Sequence, residues 1–170
     1  WPFALDGFLA DLEMLWQKGA RQFKFVDRTF NLKIDTSLRI MDFFLGKIAE
    51  NPADPPFAHF ELIPDHLPEK LKEAIRKFPA GTLQFEIGIQ TFNVEVQTRI
   101  SRKQKNELAR DNILWLAEHS GAHLHVDLIA GLPGVTSADH VPLENRWNLP
   151  IDADVLFVIH CEGDTRAVAN

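Results

Sequence analysis

Apolar residues recur along this chain in two rhythms. Short runs at residues 22–26, 57–63, 83–89 and 123–129 are rich in β-branched or aromatic side chains, and most alternate apolar with polar. Such runs fit a pleated surface and predict β-strands. Longer segments repeat apolar residues every three or four positions. Residues 3–18 line up Leu5, Phe8, Leu9, Leu12 and Leu15, and residues 35–50 line up Leu38, Ile40, Met41, Phe44, Leu45 and Ile48. Residues 66–78 do the same with Leu67, Leu71, Ile75 and Phe78, and residues 106–119 with Leu108, Asn112, Trp115 and Leu116. That spacing puts one face of a helix against a core. Gly19, the Pro79-Ala80-Gly81 run and Gly121 supply stop signals, and Asp35 offers an N-cap.

The order is helix, strand, helix, strand, four times over. It predicts an α/β fold of parallel (β/α) repeats with right-handed crossovers. Four units are too few to close a full barrel, so the sheet is expected to be open or part of a barrel. In both cases ligands gather at the carboxyl ends of the strands. After Gly134 the pattern changes. Pro142 and Pro150 interrupt the place of the next helix, and a strand-like run follows at residues 155–159. We therefore expect one domain over residues 1–134 and a divergent tail over 135–170.

Composition narrows the class. The 170 residues are 45% hydrophobic and 25% charged, which is ordinary globular usage. No apolar run reaches the roughly 20 residues of a membrane helix, so no membrane association is expected. The net charge of −6 lacks a basic footprint and argues against nucleic acid as a partner. A single cysteine, Cys161, cannot form an internal disulfide, which fits a reducing, cytoplasmic compartment. The chain begins at Trp1, and we expect it to be a piece of a longer protein.

The chemistry is sought at the strand ends. The first strand runs into Asp27-Arg28-Thr29-Phe30-Asn31, either a capped loop or a polar contact segment. Glu61 sits among apolar residues of the second strand with His59 on the same face, and a carboxylate there needs a cation or a wet cavity. Glu86, Gly88 and Gln90 share one face of the third strand. The glycine signals a bulge or the close approach of a ligand or backbone, and the amide suits a ribose diol. His123, His125 and Asp127 share a face of the fourth strand, a pattern of a wet face that is also compatible with a metal. The Gly131-Leu132-Pro133-Gly134 turn follows. The basic run Thr98 to Lys105 is either a solvated helix face or an anion clamp.

Two stretches carry a family resemblance. Glu86 to Gln104 reads Glu-Ile-Gly-Ile-Gln-Thr-Phe-Asn-Val-Glu-Val-Gln-Thr-Arg-Ile-Ser-Arg-Lys-Gln, and Val126 to Gly134 reads Val-Asp-Leu-Ile-Ala-Gly-Leu-Pro-Gly. Together, in this order, they resemble the core of radical S-adenosylmethionine (radical SAM) enzymes. They are similar to the oxygen-independent coproporphyrinogen III oxidase and methylthiotransferase-like branches. Phe23 to Asn31 and the Phe60-Glu61-Leu62 strand resemble members with an upstream cobalamin-binding domain. The resemblance runs from about Phe3 to Gly134.

The resemblance implies strands two to five of a TIM-like partial (β/α)6 barrel. It also implies S-adenosylmethionine, a 4Fe–4S cluster in the intact protein, a 5′-deoxyadenosyl radical, and in some branches cobalamin. Position by position, it assigns Glu61 to the strand facing the cofactor, Gln90 to the ribose and Arg102 to the methionine carboxylate. It assigns Asp127 to the ribose and adenine, Ala130, Gly131 and Leu132 to the adenine edge, and Asp27 and Thr29 to the loop at the methionine amine.

The sequence departs from the family in two places. The CxxxCxxC loop that holds the cluster is missing, and in the family it lies upstream of the segment matched here. The turn after Gly134 continues with Val135 where the family has Glu. We therefore expect a fragment of a radical SAM enzyme, inactive alone, with a small-molecule substrate. The alternative is a non-catalytic α/β module that binds a ligand or a partner, with association through an unclosed barrel edge. A metal hydrolase built on His123, His125 and Asp127 is a third reading.

Overall fold

The structure is a computed structural model, and it describes residues 5–130, Leu132 and the backbone of a strand at residues 155–161. In chain order it contains α1 (Leu5–Gln17), β1 (Gln22–Lys24), a 3-10 turn (Phe30–Leu32), α2 (Ile34–Glu50), β2 (Phe57–Leu62) and α3 (Glu69–Ile75). Then come β3 (Leu83–Gln90), α4 (Val94–Arg99), α5 (Asn106–His119), β4 (His123–Ala130) and β5 (Val155–Cys161).

All strand pairs are parallel, and the sheet order is β1-β2-β3-β4-β5. Sequential order decides between the two expected architectures. A doubly wound sheet reverses direction at a switch point, whereas a barrel adds each strand beside the last. Here no reversal occurs among the described strands, and the sheet is open, with β1 and β5 at its edges. The strand expected at residues 155–159 is found as β5, in register with β4 from Leu124↔Val155 to Ala130↔Cys161.

Period-two alternation divides the sheet into two faces. Phe23, Ala58, Phe60, Leu62, Leu83, Phe85, Ile87, Leu124 and Val126 are buried on one face. The helices cover them with Leu12, Trp16, Ile40, Met41, Phe44, Leu71, Ile75, Ile113 and Leu116. Phenylalanine dominates around β1 and β2. Phe30 stacks on Phe60 at 3.9 Å between centroids, Phe44 meets Phe23, Phe25 and Phe60 edge-on, and Phe25 lies tilted against Phe30 and Phe60. Lys47 of α2 lies against Glu13 of α1 and Glu50, each at 2.8 Å, which ties the first two helices together.

Several boundaries differ from the sequence reading, each for a local reason. Helix α3 begins at Glu69 rather than His66 because Pro68, extended at φ −68° and ψ 157°, precedes it. Helix α2 begins at Ile34, so Asp35 is not its N-cap; it sits in the first turn, where its charge still favours the helix dipole. Strand β1 stops at Lys24 in the ladder, although the Phe25 N–H still donates to the His59 carbonyl at 2.9 Å. Helix α4 was not foreseen. The Asn93 side chain starts it by accepting from the N–H groups of Glu95 and Val96 at 2.9 and 3.2 Å.

Candidate functional site

The open face of the sheet is polar. Lys24 of β1, His59 and Glu61 of β2, Gln84, Glu86 and Gln90 of β3, and His125 and Asp127 of β4 alternate with the buried core residues. Parallel register sets them side by side: Glu61↔Glu86, Glu86↔His125 and Gly88↔Asp127. A barrel interior of this kind is not filled by branched apolar side chains, and it leaves room for a polar ligand. Toward the carboxyl ends of β2, β3 and β4 it opens into a cavity of about 600 Å³.

Five of the residues that the resemblance assigns to the cofactor line this cavity: Thr29, Glu61, Gln90, Arg102 and Asp127. Arg28, Asp65, Glu86, Gly88, Lys103 and Gln104 join them. Asp27 is not among the lining residues. Its Oδ1 instead accepts from the Thr29 N–H at 3.0 Å and the Thr29 hydroxyl at 2.9 Å, an Asx turn that shapes the loop. Ala130 ends β4 and Leu132 is buried. Gly131 and the rest of the turn through Gly134 lie outside the described residues, as do residues 135–154.

The third strand bends at the cavity. The β3–β4 register slips between Gly88 and Gln90, and Gln90 takes a left-handed φ of 66°. The bulge buries Ile89 in the core and turns Gln90 to the cavity. A Cβ built on Gly88 meets no atom within 4 Å, so no neighbouring backbone occupies the space above it. Of the readings that the glycine offered, the bulge is the one the structure shows.

Arg102 is held in place. Its Nη2 donates to the Gly88 carbonyl, its Nε donates to the Gln104 Oε1 at 3.0 Å, and its own N–H donates to the Gln97 carbonyl at 2.8 Å. Burial lowers its proton affinity, and Asp65 opposes that shift. The segment was read as a helix face or a clamp. Helix α4 in fact ends at Arg99, and residues 102–104 form an extended turn at the cavity edge.

Beneath the cavity, Glu86 Oε2 lies 3.2 Å from His59 Nε2 and 3.4 Å from Lys24 Nζ. The His59 contact is electrostatic, because Nε2 is out of line for a hydrogen bond. Burial, then Lys24, push the proton affinity of His59 down, against the pull of Glu86. The Gln84 amide meets the His125 Nδ1 at 3.1 Å. Among the described residues no group of three or more histidine, cysteine or acidic side chains is arranged to hold a metal.

Sequence reasoning passed over the residues that hold the loops. Asn31 is fully buried; its amide donates to the carbonyls of Ile63 and His66, and its Oδ1 accepts from the Ile63 N–H at 2.8 Å. It ties the loop after β1 to the loop after β2. Gln97 donates to the Thr91 carbonyl and to Asn106 Oδ1, both at 2.8 Å, and so closes the segment after β3. A polar residue one position after an aromatic in a short loop was the available signal for Asn31.

An all-parallel sheet in sequential order is also the fold of solved radical SAM enzymes. The chain superimposes on the radical S-adenosylmethionine methyltransferase TsrM of Kitasatospora setae, solved with cobalamin and a 4Fe–4S cluster, at a TM-score of 0.67 and 15% identity. The match covers 91% of this chain and 30% of that one. Coproporphyrinogen III oxidase of Escherichia coli, described as a radical SAM enzyme, matches at a TM-score of 0.63 and 22% identity over 92% of this chain and 37% of that one. In sequence the chain is 28% identical over 100 residues to the oxygen-independent coproporphyrinogen III oxidase of Helicobacter pylori strain J99. That alignment takes in 59% of this chain and 21% of the relative's length. No family profile matches the chain. No helix among the described residues is long and apolar enough to cross a membrane.

Proposed function

We propose that this chain is the S-adenosylmethionine-binding part of a radical SAM enzyme. One observation carries the reading: the cavity splits its charges. Strand residues Glu61, Glu86 and Asp127 make its floor acidic, and the loop residue Arg102 sets a cation at its rim. S-adenosylmethionine has the matching polarity, with a sulfonium and an amine at one part and a carboxylate at another. Arg102 takes the carboxylate through its guanidinium fork, Gln90 and Asp127 take the ribose hydroxyls, and Glu61 faces the cationic part. The Asp27–Thr29 turn borders the amine, and Ala130, Gly131 and Leu132 border the adenine. The open space above Gly88 accommodates a planar group. When bound, S-adenosylmethionine supplies a cleavable carbon–sulfur bond; the residues here bind and orient it.

The iron–sulfur cluster is a different matter. A cluster of this family needs three thiolates, and the chain has one cysteine, so its own residues do not fit one. No step through a cluster is derived, and cobalamin has no residue assigned to it here. The chain spans about a fifth of the curated relatives' length, and catalysis belongs to the larger protein.

Calorimetric titration with S-adenosylhomocysteine tests the reading. Saturable binding is expected, and Arg102→Gln and Asp127→Asn should each weaken it by about 10-fold, the loss of one charged hydrogen-bond partner. A folded chain, checked by circular dichroism, that shows no saturable binding would overturn it.

A further inference from the structure

We propose that Arg28 and Lys103 form an anion subsite at the rim of the same cavity, which takes the carboxylate or phosphate group of a second ligand, the substrate. The proposal rests on the reading that Arg102 receives the carboxylate of S-adenosylmethionine. That ligand has one carboxylate and leaves the other two cations of the rim without a counter-charge.

Unpaired cations are common on this chain, but among the described residues Arg28 and Lys103 are the ones that also line the cavity. Arg21, Arg39, Arg76 and Arg110 each pair with an acid, and Lys47 pairs with two. Among the described residues neither the Arg28 nor the Lys103 side chain has a hydrogen bond or an ion pair. The side chains of Arg99, Lys18, Lys33, Lys70, Lys77 and Lys105 are also without one, but none of them lines the cavity. Asp65, the one acid on the rim, already accepts from the Lys105 N–H at 2.9 Å and faces Arg102.

Both cations also ride on turns pinned on each side. Arg28 sits between Asp27 and Thr29, at the tip of the Asx turn, and Asn31 anchors the same loop to the chain after β2. Lys103 sits between the Arg102 N–H, bonded to the Gln97 carbonyl, and the Lys105 N–H, bonded to Asp65. Two like charges are thus presented from separate, braced loops at one cavity. Bracing the backbone lowers the ordering cost of an anion's binding. The site draws an anion to a chain whose net charge is −6, so its attraction is local and not a property of the whole surface.

The test titrates the 170-residue chain, saturated with S-adenosylhomocysteine, with inorganic phosphate in one arm and citrate in the other, at low salt. The tighter arm identifies the anion chemistry. Arg28→Gln combined with Lys103→Gln should weaken the better anion at least 10-fold and change S-adenosylhomocysteine affinity less than 3-fold. A charge-matched control, Lys70→Gln with Lys77→Gln on exposed positions of and beside α3, should leave both unchanged. Equal loss in the control, competition between the anion and S-adenosylhomocysteine, or no binding in either arm would overturn the subsite. Failure of S-adenosylhomocysteine to bind, with the anion still lost only in the Arg28/Lys103 variant, would overturn the cofactor reading instead.

Discussion

The two faces of this sheet use the same strands for opposite purposes. On the helix-covered face, Phe60 and Phe85 are wholly buried. One residue further along each strand, Glu61 and Glu86 point into the cavity. Core residues and residues of the proposed binding cavity are therefore interleaved at a spacing of a single residue, and adjacent substitutions should separate stability from binding. Phe60→Ala removes a ring that stacks on Phe30 and touches Phe25 and Phe44. It should cost about 3–5 kcal/mol of stability, measured by urea unfolding. Glu61→Gln should stay within about 0.5 kcal/mol of the parent, since its carboxylate has no partner among the described residues, while S-adenosylhomocysteine affinity falls. Equal losses of stability would mean that the open face is also a core.

The helix-covered face was the more legible of the two. Its apolar residues repeat at periods of two and three to four, and those periods place strands β2, β3 and β4 and helix α5 within a residue of where they lie. The open face was legible only in part. Glu61, Gln90 and Asp127 stand out because a polar residue interrupts an apolar run. Arg102 was placed through the family resemblance. Asn31, Gln97 and the short helix α4 were missed, because hydrogen bonds to distant backbone atoms hold them and leave no periodic trace. Asn93, a good cap before Val94 and Glu95, was the one local sign of α4. Asp27 stood out as polar, yet its carboxylate is spent on its own turn.

Gln90 sharpens the comparison, since it is where the two purposes conflict. A side chain at φ 66° carries a steric penalty that glycine does not. Gln90→Gly should raise stability by about 0.5–1 kcal/mol and still weaken S-adenosylhomocysteine binding several-fold, because the amide is lost. Thermal unfolding and calorimetry on one sample read both signs. A variant that binds as well as the parent would remove Gln90 from the site and leave the bulge as a purely structural feature.

The smallest effect is expected from His59, which lies on the open face but is buried beneath the cavity. Its proton affinity is lowered first by burial and then by Lys24 of β1 and His125 of β4, with Glu86 of β3 opposing. The folded chain thus binds a proton at this site less readily than the unfolded chain, whose histidine titrates near the ordinary 6.5. Above that pH both states are neutral at His59 and it contributes no pH dependence. As the pH falls through 6.5, the unfolded chain takes up the proton first and stability drops, until the pH passes the lower folded value. Urea midpoints of the parent should fall between pH 7.5 and 5.5 more steeply than those of His59→Gln, which keeps a polar group but cannot titrate. Removing Glu86 as Glu86→Gln takes away the one favourable charge and should steepen the fall further. Parallel slopes in the parent and His59→Gln would show that the imidazole is as wet as in the unfolded chain, and that the floor of the cavity is open rather than closed at that depth.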